Sequence, residues 1–143
     1  MEIEEKKRKI LDFIKTKNLT VMSTVSPDGL PEAAVMGISE MDDLSLIFGT
    51  FNIYRKYTNL KNNPKVAFVI GWDDITVQYE GVAEELIGGR KNTAKSIHLK
   101  KLPTSKKFSE LKEQCYFLVK PTWIKYTDYS KNSIYGEFFE VNF

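Results

Sequence analysis

The chain has 143 residues and a formal net charge of +2, with 42% hydrophobic and 28% charged residues. That is one domain's worth of chain, with enough apolar material for a core that needs neither disulfide nor metal. The single cysteine, Cys115, excludes an internal disulfide and any paired-cysteine zinc or redox motif, while the single histidine, His98, removes multi-histidine metal sites and makes a histidine-based triad a poor candidate.

Residues 2–17 read as an amphipathic helix, with Ile3, Ile10, Phe13 and Ile14 at helical spacing. Leu19 to Ser26 carries Thr20, Val21, Thr24 and Val25 and reads as a strand. Pro27-Asp28-Gly29 is a turn in which Pro presets φ and Gly takes the left-handed position. A second strand over Glu32 to Glu40 completes an antiparallel hairpin. After the Met41-Asp42-Asp43 turn, Leu44 to Thr50 is a third strand. Residues 53–62 suit a short helix with Asn52 as N-cap, stopped by Asn63-Pro64.

Val66 to Ile70 is a short apolar strand, and Ile75 to Leu86 a long alternating one. On the latter, Ile75, Val77, Tyr79 and Ala83 face one way, and Thr76, Gln78 and Glu80 the other. Gly81 marks a bulge or a close backbone approach. Gly88-Gly89 opens a basic helical region. Gln114 to Tyr126 is a strand in which Pro121 marks an edge or bulge, and Ile134 to Val141 is the last strand. Without βαβ alternation, a doubly wound parallel sheet does not fit. The prediction is a mainly β chain: one domain over residues 1–143, a six- to seven-stranded antiparallel barrel, closed or nearly so, with an N-terminal helix and two or more short helices.

Charge is unevenly spread. Residues 90–112 carry eight Lys or Arg and one Glu, residues 2–18 carry six basic and four acidic side chains, and the remainder is net acidic. No Arg-rich or aromatic-interleaved pattern turns the basic stretch into a nucleic-acid surface, so it reads as a solvated face. No apolar run approaches a membrane span of ~20 residues. The charged start has no apolar stretch behind it, and the expected compartment is the cytoplasm. Cys115 reads as a buried small hydrophobe, and the Asp pairs 42–43 and 73–74 as turn residues. No metal site and no catalytic acid, base or nucleophile stands out.

The informative segment is FGTFNIYRKYTNLKNNPKVAFVIGW, residues 48–72. A strand ends at Thr50 and a helix follows, and a helix start favours an anion. Arg55 and Lys56 fall in the first turn, where cations oppose the helix dipole; a bound phosphate accounts for them better than helix stability does. Gly49 leaves room for something flat, and Thr50 adds a hydroxyl.

This run resembles the pyridoxamine 5'-phosphate oxidase-like family of FMN-binding split barrels, in Gly49-Thr50, Arg55-Lys56, Asn63-Pro64, the strand Val66 to Ile70 and the later Gly81-Val82-Ala83-Glu84. The resemblance covers residues 5–87 well and the last third loosely. It implies that Arg55 and Lys56 hold the FMN phosphate and that Gly49 and Thr50 line the cofactor beside it. The strand around Ala34, Val35, Met36 and Gly37 would touch the isoalloxazine edge. Thr76 or Gln78 would supply a polar contact, and Trp123 an aromatic near the ring. It further implies a homodimer with the flavin at the subunit interface and a small-molecule redox substrate, such as a reduced nicotinamide.

The family's oxidases have an Arg opening the second strand, where this chain has Ala33 and Ala34, and an Arg and a His near the C-terminus, where it ends YGEFFEVNF. Genuine pyridoxamine-phosphate oxidation is therefore not expected. The resemblance is to short, general-stress-protein-like members. The remaining alternatives are a deazaflavin-dependent reductase and a non-catalytic, stress-linked flavin module.

Overall fold

The computed structural model describes residues 1–131 and 134–143. In chain order the elements are α1 (Ile3–Lys15), β1 (Leu19–Val25), β2 (Pro31–Gly37), β3 (Ser39–Glu40), β4 (Leu46–Phe51), α2 (Arg55–Asn62), β5 (Lys65–Ile70), β6 (Ile75–Glu85), α3 (Gly88–Lys101), a 3-10 segment (Pro103–Phe108), β7 (Gln114–Asp128) and β8 (Glu137–Asn142). The strands form one antiparallel sheet in the order β2-β1-β5-β6-β7-β4-β3, with β8 also on β7. No helix among the described residues is long and apolar enough to cross a membrane.

Three features shape this sheet. The β1–β2 hairpin turns at Gly29, whose φ is +82°, as the Pro-Asp-Gly turn predicts. The long strands β6 and β7 pair along their whole length with one irregularity: Glu80 faces Trp123 while Gly81 faces Pro121, leaving Thr122 as an extra residue. Pro121 thus lies in a bulge of a central strand, where its missing N–H costs no ladder bond. A Cβ on Gly81 would come within 2.5 Å of the Lys120 carbonyl, so the glycine permits the close approach that its position implied. The third feature is the passage from β2 to β3. The sequence reads Glu32 to Glu40 as one strand, but the chain leaves the sheet at Ile38, whose N–H bonds the Asn18 carbonyl. Buried Ile38 and Ser39 cross the barrel end in succession, which breaks the alternation. β2 and β3 become opposite termini of the sheet, and the strand total is eight rather than six or seven.

Other boundaries shift for local reasons. β4 begins at Leu46 because Leu44 holds φ +72° and Asp43 Oδ1 accepts from the Ser45 N–H at 2.9 Å, extending the turn. β7 runs on to Asp128, and β8 starts at Glu137 rather than Ile134, after Gly136 at φ +71°.

The core explains the aromatic content. Phe48 and Phe117 stack at 5.2 Å, and Phe68 meets Tyr79 edge-on at 5.5 Å. Tyr79 is fully buried and donates to the Leu44 carbonyl at 2.8 Å, which satisfies its hydroxyl. Val77, Tyr79 and Ala83 face inward while Gln78 and Glu80 are exposed, as the alternation requires. Ile10 and Ile14 of α1 add to the same core. The basic stretch forms α3 and the 3-10 segment. Arg90 pairs with Glu84, Lys95 with Glu110 and Lys101 with Glu40, so part of its charge is neutralised locally.

Candidate functional site

The rolled sheet leaves an unpaired seam where β2 lies beside β4. A cleft of about 320 Å³ opens there. Val35, Met36 and Gly37 of β2 form one wall, and Gly49, Thr50 and Phe51 of β4 the other. Tyr54 and Lys56 stand at the α2 end, with Ser105, Phe108, Gln114, Tyr116 and His98 completing the lining. The sequence-predicted residues Val35, Met36, Gly49, Thr50 and Lys56 are thus brought together from three separate stretches of chain.

α2 begins two residues later than the sequence implies. Its N-cap is Tyr54, not Asn52, and no side chain caps its first turn. Asn52 instead donates its N–H to the Glu113 carbonyl at 2.9 Å, which keeps it in the β4 ladder region. The Tyr57 N–H bonds the Tyr54 carbonyl at 3.1 Å, which leaves the Arg55 and Lys56 amides of the first turn to solvent or to an anion. Arg55 and Lys56 both lie in that turn, yet they stand differently. Lys56 is half-buried and lines the cleft, with its Nζ 4.9 Å from the Tyr54 ring centre. Desolvation holds its pKa below the ordinary lysine value. No carboxylate among the described residues pairs with it. Arg55 points the other way, into an adjoining cavity of about 300 Å³, and its guanidinium lies 3.3 Å from Glu32.

Two further features suit a bound polar ligand. Thr50 is 5% exposed, and its hydroxyl is the one buried side-chain polar atom without a hydrogen-bond partner among the described residues. Natural structures rarely leave such an atom orphaned. Gly49 lies between the Gln114 amide and the Tyr116 ring: a Cβ there would meet Gln114 Nε2 at 2.5 Å. Gln114 in turn donates to the Cys115 carbonyl at 3.0 Å, so this floor is held in place. The space beside Gly49 is thus shared with Gln114 and Tyr116, two residues the sequence does not single out.

His98 is the second unforeseen lining residue. It is buried, with Nδ1 2.8 Å from Ser39 Oγ. Burial, aided by the nearby Lys101 charge, pulls its pKa down to about 4, so the ring is neutral at pH 7. Tyr54, Phe51 and Phe108 form an aromatic rim, with Phe51 5.3 Å from Tyr54 and 5.9 Å from Phe108. Helical spacing gives no sign that the 3-10 segment would fold back over β4, so Phe108 is not identifiable from sequence.

Thr76, Gln78 and Trp123 lie elsewhere. Gln78 and Trp123 line a shallow hollow of about 230 Å³ on the outer face of β1, β5, β6 and β7, beside Val21, Ser23, Ala67 and Val69. Thr76 shares that face, opposite Thr127 near the end of β6. None of the three reaches the cleft of its own chain. An apolar strip crosses part of this face: Val35, Val21 and Val69 pair directly in a row, with Val35 and Val69 63% and 39% exposed, before the row runs on into Gln78 and Lys125.

Comparison with known proteins identifies the family and the fold. The model of the family described as pyridoxamine 5'-phosphate oxidase matches residues 7–128. A pyridoxine/pyridoxamine 5'-phosphate oxidase from Thermosynechococcus vestitus is 34% identical over 71 residues, which cover 48% of this chain and 34% of the relative. The match thus spans about a third of that relative's length. The structure of general stress protein 26 from Bacillus anthracis superposes with a TM-score of 0.74 at 26% identity, over 96% of this chain and 99% of that one. A heme-binding protein from Mycobacterium smegmatis shares the fold, with a TM-score of 0.77 at 15% identity over 92% of this chain and 57% of that one.

Proposed function

Because this chain belongs to the pyridoxamine 5'-phosphate oxidase family, we propose that it is an FMN-binding oxidoreductase whose cofactor lies in the seam between β2 and β4. The observation that carries the reading is the pairing, in one cleft, of an unpaired half-buried cation, Lys56, with an orphaned buried hydroxyl, Thr50. A phosphorylated flavin answers both: its phosphate offers charge to Lys56 and to the open first turn of α2, and its polar chain offers a partner to Thr50. When bound, the flavin supplies the hydride and electron transfer.

The chain's own part is binding and orientation. Gly49 and the β2 backbone set a flat wall, the rim of Phe51, Tyr54 and Phe108 excludes water, and neutral His98 keeps positive charge away from the floor. A reduced nicotinamide or another small redox compound is the substrate class. Oxidation of pyridoxamine phosphate is not proposed, since Ala33 and Ala34 stand where the family's oxidases carry an Arg.

A haem reading is weaker. His98 is the only histidine, it is buried, and Ser39 occupies its Nδ1. The flavin reading is preferred because Lys56 and Thr50, which a phosphorylated ligand would satisfy, have no counterpart need in a haem.

The proposal includes a homodimer. Gln78 and Trp123 can meet a flavin only from a second copy, because they sit on the outer sheet face. Docking that face over a neighbour's cleft would cover Val35, Val21 and Val69 and close the open side of the cofactor site. Gln78 would then offer an amide that both donates and accepts to the flavin's mixed N and O edge.

The visible spectrum of the purified protein, followed by reconstitution of stripped protein with FMN or haemin, tests the cofactor. Flavin bands and stoichiometric FMN uptake are expected; a Soret band and preference for haemin would overturn the reading. Anaerobic mixing of FMN-loaded protein with reduced nicotinamide separates an oxidoreductase, which bleaches the flavin, from a passive flavin module, which does not.

A further inference from the structure

Glu32 is a charged residue that the cofactor reading does not use. It sits on β2 and lines the adjoining cavity with Met22, Thr24 and Arg55, and with Tyr54 and Lys56, which that cavity shares with the cleft. Its carboxylate is 80% shielded and makes two contacts. One oxygen accepts from Asn59 Nδ2 at 2.8 Å, and the other lies 3.3 Å from the Arg55 guanidinium. Asn59 is itself buried and also donates to Thr24 at 3.0 Å. Glu32 is therefore fixed in place from below, while Arg55, 82% exposed, is the partner that solvent surrounds.

We propose that Glu32 is a built-in competitor for the cofactor phosphate. It holds Arg55 outside the cleft, and Arg55 reaches a phosphate only by giving up this ion pair. The inference rests on the phosphate assignment to α2 and deepens it. The two cations of the first turn then play separate roles. Lys56 is already in the cleft and unpaired, and sets basal phosphate affinity. Arg55 is a second clasp whose closure Glu32 opposes, so Glu32 lowers affinity and hastens release of phosphorylated ligands without touching them. Glu32 does not line the cleft and its carboxylate is engaged with Arg55, so it acts through Arg55, as a positioning residue, more than by direct repulsion.

Glu32→Gln is the fitting perturbation. The glutamine keeps an oxygen for Asn59 and removes only the charge that holds Arg55. Stripped protein is titrated with FMN and with riboflavin, which differ only in the phosphate, for wild type, Glu32→Gln, Arg55→Ala and the double variant. Glu32→Gln should bind FMN about two- to fivefold tighter, the range set by an exposed ion pair. Riboflavin affinity should not change, and in the Arg55→Ala background the Glu32 effect should vanish. If wild type prefers FMN over riboflavin but Glu32→Gln leaves FMN affinity unaltered, the competitor role is overturned and the phosphate site stands. A gain that persists without Arg55 overturns the role in the same way. If wild type binds FMN and riboflavin alike, the role falls together with the phosphate assignment.

Discussion

Replacing Thr50 by Val separates a ligand-binding hydroxyl from a structural one. Valine reproduces the branched shape and removes only the hydroxyl, which is buried and without a partner. An unsatisfied buried polar group costs roughly 1–3 kcal/mol. Part of that returns on substitution, so the ligand-free protein should gain about 1 kcal/mol of stability. For a chain of this length such a gain raises Tm by roughly 2–4 °C. The same change should weaken FMN, because one hydrogen bond worth about 0.5–1.5 kcal/mol is lost, a factor of roughly two to twelve in Kd. The two effects have opposite signs, which a merely structural threonine does not produce. Differential scanning calorimetry of stripped protein and FMN titration by fluorescence quenching measure them side by side. If Thr50→Val destabilises the ligand-free protein, the hydroxyl has a partner within the chain and its ligand-binding role falls.

Lys56→Ala should cost a charge-assisted contact of roughly 1.5–3 kcal/mol, or about ten- to more than a hundredfold in FMN affinity, while Arg55→Ala, exposed and already paired, should cost no more than about fivefold; equal losses in a titration would contradict the separate roles assigned to them. Since the Lys56 pKa is lowered, FMN affinity should fall as pH climbs through it, and Lys56→Arg should move that fall to higher pH. His98 has a folded pKa of about 4 against an ordinary 6.5, so the unfolded chain takes up its proton first and stability is lost as pH falls from 6.5 towards 4. Urea melts should show His98→Gln losing less over that window, by up to about 3 kcal/mol; parallel pH profiles would show that His98 is not buried neutral. Burial and the neighbouring Glu85 push the Cys115 thiol up to about 11, so native protein at pH 8 should react with a thiol reagent far more slowly than urea-unfolded protein. Comparable rates would mean an open thiol.

Periodicity and turn chemistry make much of this fold legible. The β-branched run of β1, the Pro-Asp-Gly turn and the strict alternation of β6 are local signals, and the structure follows them. The split of β2 from β3 is not local. Within Glu32 to Glu40 only Gly37 hints at an end; the strand splits because Ile38 and Ser39 are both buried and the chain passes from pairing with β1 to pairing with β4. The α2 start shows the same limit: Asn52 is a good cap in isolation, but its N–H bonds the Glu113 carbonyl near the start of β7, which keeps it in the turn after β4 and ahead of the helix.

The cleft is half legible. Gly49, Thr50 and Lys56 stand on one short stretch whose chemistry points to an anion, and Val35 and Met36 come through the family resemblance. Phe108, Gln114, Tyr116 and His98 arrive from 49 or more residues beyond Gly49 in the chain; the sheet order, which puts β7 against β4, brings in Gln114 and Tyr116, and the packing of α3 and the 3-10 segment brings in His98 and Phe108. Glu32 carries no signal of its own. Its importance comes from Asn59 beneath it and Arg55 beside it. Gln78 is readable in its facing but not in its distance from the cleft, because alternation reports a side of the sheet and not which chain's site that side meets.

Where the flavin binds is the central claim, and amide chemical-shift mapping of stripped protein titrated with FMN tests it most directly. The predicted perturbations cluster at Val35, Met36, Gly49, Thr50 and Lys56, with a second set at Gln78 and Trp123, the residues that the proposed dimer would bring to the flavin. Shifts confined to α3 and the 3-10 segment, with the β2–β4 seam silent, would contradict it.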